Sequence, residues 1–172
     1  MNIRSAEPAD AGRLLGIYAY YVENTAVTFE YDTPTEKEFG ERIRSTLEKY
    51  PFLVLEDGGE TVGYAYAGVF KDRAAYSRSC EISIYLDHDK RRRGFGSALY
   101  RALEEKLAER GIINVYACIA SPLKEDEYLS RDSERFHGAL GFVKVGEFHK
   151  CGYKFGRWYD MIWMEKFIGP HG

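Results

Sequence analysis

Cysteine is scarce in this chain and unpatterned. Only Cys80, Cys118 and Cys151 occur among 172 residues, an odd number without Cys-x-x-Cys spacing. That excludes a disulfide framework and a cysteine metal knuckle, and it favours free thiols in a reducing compartment. The four histidines are scattered, so no metal site is expected. No apolar run reaches transmembrane length, and the opening residues, MNIRSAEPADAG, lack the apolar stretch of a signal peptide. An excess of positive charge is missing too: 24 Lys and Arg face 27 Asp and Glu, a net charge of −3. No broad positive field is available for nucleic acid. Internal repeats and linker-like stretches are also lacking. The absences describe a cytoplasmic protein with neither nucleic acid nor membrane among its partners.

What is present is a globular composition. Apolar residues make up 45% of the chain and aromatics 15%, with 14 tyrosines, enough for a real core. The length predicts one domain, residues 1–168, with 169–172 as a flexible tail. The aromatics have two readings that stay open, core with subunit interface or walls for a flat ligand.

Periodicity orders the elements. A short strand opens the chain. Helical spacing of Leu14, Leu15, Ile17, Tyr18, Tyr21 and Val22 follows. "ENTAVTFEYDTPT" breaks that period and reads as a loop with extended pieces. Thr33-Pro34-Thr35-Glu36 starts a second helix that runs to about Glu48. "FLVLED" and "TVGYAYAGVF" form a hairpin around "DGGE", and "CEISIYLD" is the next strand. A helix after Arg93 carries Phe95, Ala98, Leu99, Ala102, Leu103 and Leu107 on one face. "INVYACIA" is a strand, "ERFHGALGF" a short helix, and "FVKVGEFHKCGYKFGRWYDMIWMEK" two final strands. The order is strand, two helices, three strands, helix, strand, helix, two strands: a mixed α/β domain around one central sheet.

The densest chemistry lies in "KRRRGFGSALYRALEEKLAERG". A strand ends near Leu86, a basic turn follows, and a helix begins near Gly94. The first N–H groups of that helix lack intrahelical partners and sit at its positive end. Glycines at 94 and 96 let an anion approach the backbone, and Arg91, Arg92 and Arg93 add charge-assisted donors. The nucleotide loop ending in Gly-Lys-Ser/Thr does not fit, because Gly96-Ser97-Ala98 stands there. The dinucleotide fingerprint lacks its third glycine, Leu99 occupying that place. A solvated charge run remains the plain alternative for this string alone.

Arg91-Arg92-Arg93-Gly94-Phe95-Gly96 resembles the Arg/Gln-x-x-Gly-x-Gly/Ala signature of the GNAT N-acetyltransferases, and the element order resembles that fold over nearly the whole chain. More narrowly, "NTAVTFEYDTPT", "CEISIYLDHDKRRRGFGSALY", "FHGALGF" and "GYKFGRWYDMIWME" are similar to the phosphinothricin acetyltransferase-like branch. The resemblance implies a central mixed, mostly antiparallel sheet flanked by helices on both faces. It implies acetyl-CoA as cosubstrate, its pyrophosphate held by Arg91, Arg92, Arg93, Gly94, Phe95 and Gly96 with Ser97 beside them. Its pantetheine arm would pair with Ile84, Tyr85 and Leu86, which would also supply a backbone donor for the oxyanion. Homodimers are common in the branch.

Acetyl transfer needs a neutral amine, and a primary alkyl amine is mostly protonated at neutral pH. A base must take its proton, donors must hold the oxyanion, and the departing thiolate benefits from a proton. Glu81, which opens "EISIYL", is the candidate base from its strand position, and the branch places a glutamate there; a solvent-facing strand acid is the alternative. The resemblance makes His137 the candidate proton donor, and an ordinary histidine titrates near physiological pH; a packed helix histidine is the alternative. Ser133, four residues before it, matches a polar position near CoA, whereas the preceding asparagine position of the family holds Ser130; Tyr128 or Asp132 could substitute, a solvated loop being the plainer reading of both.

For the acceptor, the resemblance points to Phe29, Glu30 and Ser79, and to Tyr153, Lys154, Phe155, Arg157 and Trp158. One departure stands out. Relatives that acetylate phosphinothricin, methionine sulfone or sulfoximine often carry arginine four residues before the glutamate; Ser77 stands there, with Arg78 one place later. The expected function is acetylation of a small-molecule primary amine by acetyl-CoA. Acetylation of a protein or peptide amine, and a non-catalytic acyl-CoA sensor, are the alternatives.

Overall fold

Pro51 and the Gly58-Gly59 pair mark the ends of a short apolar run, and the chain turns at both. Both glycines adopt positive φ, 60° and 83°, so a tight reversal joins two strands. The computed structural model describes residues 1–90 and 93–172. The strands are β1 (Asn2–Ser5), β2 (Phe52–Asp57), β3 (Glu60–Val69), β4 (Ser79–Leu86), β5 (Asn114–Ser121), β6 (Val143–Lys154) and β7 (Arg157–Phe167). The α-helices are α1 (Ala11–Asn24), α2 (Glu36–Leu47), α3 (Phe95–Ala108) and α4 (Asp132–Ala139). The expected order of elements is the observed one. Thr35 starts α2 as half of a capping box with Glu38, which satisfies two backbone donors that would otherwise be orphaned.

The seven strands form one sheet in the order β1-β2-β3-β4-β5-β7-β6. Every pairing is antiparallel except β4 with β5. That single parallel contact requires a crossover, and α3 supplies it. Helices cover both faces. α3 packs a core that includes Leu55, Ile82, Leu99, Leu103, Val115 and Ile162. α1 and α2 cover the other face around Leu14, Tyr18, Phe39, Ile43, Phe52 and Tyr64. Cys80 lies in the first core, where burial pushes its thiol up to about 12, so it stays a packed, unreactive thiol.

The parallel pairing is short, and this positions the site. β4 and β5 pair over three rungs only: Ser79 with Asn114, Cys80 with Val115 and Glu81 with Tyr116. Beyond Glu81, β4 stays paired with β3 as far as Leu86, while β5 stays paired with β7 as far as Ser121. The sheet therefore divides between its fourth and fifth strands. At the C-terminal end, Ile168 N–H donates to the Ile113 carbonyl, and a ring nitrogen of His171 lies 2.8 Å from Asn114 Oδ1. No helix among the described residues is long and apolar enough to cross a membrane.

Candidate active site

The division of the sheet leaves a cavity of about 230 Å³. One wall is the β4 segment Ile82–Leu86, the opposite wall is Ala117–Ala120 of β5, and Tyr100, Ser133, Phe136 and His137 close it from the helix side. Ile84, Tyr85 and Leu86 thus have strand pairing on one edge and open space on the other, apart from the Tyr21 hydroxyl, which donates to the Leu86 carbonyl at 2.6 Å.

The N-terminus of α3 follows the end of this strand. Arg91 and Arg92 lie outside the described residues. Arg93 is exposed, 3.6 Å from Asp57 and stacked over Phe95. Gly94 caps the helix at φ 78°, and a Cβ there would meet nothing within 4 Å. This glycine is required by backbone conformation, with open space before it. Gly96 has a different reason. A Cβ on it would sit 2.8 Å from Phe136 Cζ, so its missing side chain admits α4 against α3. Phe95 is buried, and Ser97 is half-buried in the first turn.

Glu81 stands on the last rung before the strands part. It is half-buried, and loss of solvation holds its carboxyl above the usual range, with the Lys71 charge opposing. It makes no side-chain hydrogen bond among the described residues, so nothing there stabilises the ionised form locally. Gly68 of β3 is its cross-strand neighbour, and a Cβ on Gly68 would also meet open space.

His137 differs from expectation. It is 3% exposed, and burial pushes its imidazole down to about 4. The expected titration near physiological pH is thereby corrected: desolvation disfavours the cation. Nδ1 lies 2.7 Å from the Ser133 carbonyl, which can only accept. The proton therefore sits on Nδ1, and Nε2 accepts from the Tyr100 hydroxyl at 2.9 Å. Ser133 Oγ is 3.5 Å from the same Nδ1. Sequence reasoning passed over Tyr100, since at helical spacing it reads as one more core aromatic. Ser130 and Asp132 do line the cavity; Tyr128 instead stacks on Phe155 at 4.1 Å.

Of the expected acceptor residues, Tyr153 and Trp158 lie with ring centroids 4.8 Å apart, and several others are held by neighbours. Lys154 is 4% exposed, and its ammonium donates to the carbonyls of Val22, Thr25 and Thr28 at 2.7, 2.8 and 2.9 Å. Those carbonyls lie at and beyond the C-terminus of α1, where a cation is favoured. Arg157 holds Glu127 through two bonds of 2.7 Å and lies over the Tyr128 ring. The expectation that these two charges contact an acceptor is corrected: one pins the segment after α1, the other the loop before α4. Ser79 is buried and accepts from Asn114 at 3.1 Å. Phe29 lies against Gly152, where a Cβ would approach its ring to 2.3 Å. Glu30 receives two bonds from Arg42, at 2.6 and 3.1 Å, and one from Tyr18, and the guanidinium holds its carboxyl below the usual range. Tyr153, Phe155 and Trp158 remain exposed on the β6–β7 hairpin. Ser77 is exposed after a short turn, and Arg78, also exposed, uses its carbonyl to accept from Ile113 and Asn114. Outside this region, donor atoms of Glu147, His149 and Asp160 lie within 4.8 Å of one another. Asp160 already accepts from the Lys150 N–H, and Glu147 pairs with Lys144.

Comparison with known proteins agrees with this geometry. Residues 3–163 match the family model for the acetyltransferase (GNAT) domain. The chain is 34% identical to phosphinothricin N-acetyltransferase of Streptomyces viridochromogenes, covering 99% of this chain and 90% of that protein. It is 33% identical to the L-methionine sulfoximine/L-methionine sulfone acetyltransferase of Pseudomonas paraeruginosa, covering 98% and 95%. A phosphinothricin acetyltransferase from Sinorhizobium meliloti, solved in complex with acetyl-CoA, superposes with a TM-score of 0.88 at 34% identity, covering 98% and 88%. A sheet that divides beside a helix N-terminus, with a half-buried glutamate at the fork, accompanies this likeness over the full chain, and the protein belongs to the GNAT acetyltransferase family.

Proposed function

We propose that the protein transfers the acetyl group of acetyl-CoA to the primary amine of a small molecule, an amino-acid analogue of the phosphinothricin or methionine sulfone kind. The observation that carries this is the place of Glu81 on the rung where β4 and β5 part. Acetyl-CoA fits the residues present: the free edge of Ile84–Leu86 suits an amide-bearing arm, and the α3 N-terminus at Gly94 and Ser97 suits a pyrophosphate. When bound, it supplies a thioester open to attack by an amine.

Glu81 takes the acceptor's proton. Its raised affinity for a proton brings it nearer the working pH, which suits a general base. A backbone N–H on the Ile84–Leu86 edge donates to the developing oxyanion. Tyr100 and His137 serve the leaving thiolate. The histidine, neutral and fixed by Ser133, orients the Tyr100 hydroxyl, which holds the one proton of the pair not committed to a backbone carbonyl. Phe29 and the exposed rings of Tyr153, Phe155 and Trp158 wall the acceptor side, with Glu30 behind them.

The protein works in the cytoplasm, where Cys118 and Cys151 stay reduced, and as a homodimer. The exposed Val143, Val145, Phe148 and Phe167 along the β6–β7 edge support that assembly. The test is a thiol-release assay with acetyl-CoA against methionine sulfone, methionine sulfoximine, phosphinothricin, polyamines and peptides. Turnover of small amino-acid analogues is expected. Turnover of peptides alone would overturn the reading, and so would tight acetyl-CoA binding without release on any amine.

A further inference from the structure

A second cavity, of about 210 Å³, lies on the α1–α2 face of the sheet, between α2 and strands β2 and β3. Phe39, Phe52, Tyr64 and Tyr66 wall it, and Arg42 and Thr46 border it from α2. The rings of Phe52, Tyr64 and Tyr66 are nearly parallel, within 14° to 19° of one another. Arg42 brings no free charge, because both of its bonds to Glu30 neutralise it. Tyr64 is only 1% exposed, and its hydroxyl has no hydrogen-bond partner among the described residues. Buried hydroxyls are normally satisfied. No described polar side-chain atom is both sealed and unpartnered, so this one keeps a slight exposure, and Tyr64 lines the cavity.

The cavity lies on the same face of β3 as the cross-strand neighbour of Glu81. Side chains alternate along β3, so Tyr64, Tyr66 and Gly68 share a face. The register sets Gly68 opposite Glu81 and Tyr66 opposite Ser83. The sheet is bare at Gly68, and Tyr66 lies one strand repeat further, about 7 Å away. An amine held at Glu81 and Gly68 therefore lies one strand repeat from Tyr66, whose ring lines the cavity.

We propose that this cavity receives the acceptor's side chain and selects amines whose side chain is uncharged and apolar or aromatic, with a polar tip meeting the Tyr64 hydroxyl. The proposal rests on Glu81 as the base. Cationic side chains find Glu30 already paired with Arg42 and lose solvation without gaining a counter-charge. Anionic ones find Arg42 already engaged by Glu30, so they gain nothing from it. Among amino-acid analogues this favours methionine sulfone and aromatic residues over phosphinothricin.

The experiment compares kcat/KM by thiol release for alanine, leucine, phenylalanine, tyrosine, methionine sulfone, phosphinothricin and lysine. It uses wild type, Thr46→Trp, Ser45→Trp and Tyr64→Phe. Ser45 is exposed on α2 and also lines the cavity, so it introduces bulk without entering the core. Wild type is expected to prefer the long uncharged side chains to alanine by about tenfold or more. Either tryptophan is expected to remove that preference while leaving alanine turnover within about twofold. Tyr64→Phe is expected to weaken methionine sulfone and tyrosine and to spare leucine. An unchanged ranking in both tryptophan variants, or a wild-type preference for phosphinothricin or lysine, would overturn the pocket assignment alone. Failure to acetylate any amine would overturn the acetyltransferase reading and the pocket with it.

Discussion

The Tyr100 hydroxyl donates to Nε2 of His137 across 2.9 Å, and both side chains are buried at the wall of the cavity where β4 and β5 part. The other ring nitrogen is committed to the Ser133 carbonyl. In the proposed reaction this histidine is a neutral orienting group, and the mobile proton belongs to the tyrosine.

Tyr100→Phe is expected to lower kcat by about tenfold to a hundredfold, with the KM for acetyl-CoA changed little. The pH–rate profile of His137→Asn is expected to keep every limb of the wild type between pH 6 and 9, since the imidazole titrates near 4. Loss of a limb near pH 6.5 in His137→Asn would show that the histidine cycles its proton.

The same burial makes stability depend on pH. The folded imidazole titrates near 4, against 6.5 when unperturbed. Between those values the unfolded chain binds a proton that the folded chain does not, so stability falls as pH drops through that window. The advantage of wild type over His137→Asn in urea unfolding is expected to shrink by roughly 2–3 kcal/mol from pH 7.5 to 4.5.

Glu81→Gln removes the proposed base and keeps the size of the side chain. A loss of about a hundredfold to ten-thousandfold in kcat is expected, with acetyl-CoA affinity retained by calorimetry. In the wild type the acid limb of kcat/KM should lie above the range of an exposed glutamate, because desolvation raises this group. Glu81→Gln should have no such limb.

Lys154→Met leaves one buried and two part-buried carbonyls without their donor. A stability loss of about 2–4 kcal/mol is expected from orphaned acceptors of this kind. The segment they belong to leads directly into Phe29 and Glu30, so the KM for the amine should rise while that for acetyl-CoA holds. Equal changes in both constants would assign Lys154 to general stability only.

The two glycines before α3 should respond differently to alanine. Gly96→Ala forces a Cβ to 2.8 Å from Phe136 and should cost about 1–3 kcal/mol by overpacking. Gly94→Ala meets open space but demands φ 78° of an alanine. It should cost about 1 kcal/mol and should weaken acetyl-CoA binding more than it lowers the melting temperature.

The sequence alone determined the order of elements, because that order follows from local rules. Apolar periodicity marked the strands and helices, Thr35 and Glu38 form a capping box within four residues, and Gly58-Gly59 makes its turn locally. The run from Lys90 to Ser97 marked a helix start, and Glu81 could be placed on the strand that leads into it. Only the tertiary structure decided that β4 and β5 stay paired for just three rungs, since that depends on which strands each meets on its far side. Tyr100 could not be told from its core neighbours until α4 brought His137 to it. Lys154 and Arg157 looked like charges for a ligand, because sequence counts charges and not partners; the backbone and side chains that hold them lie between 30 and 132 positions away. Gly96 also packs against Phe136, a neighbour forty residues distant that only packing brings near.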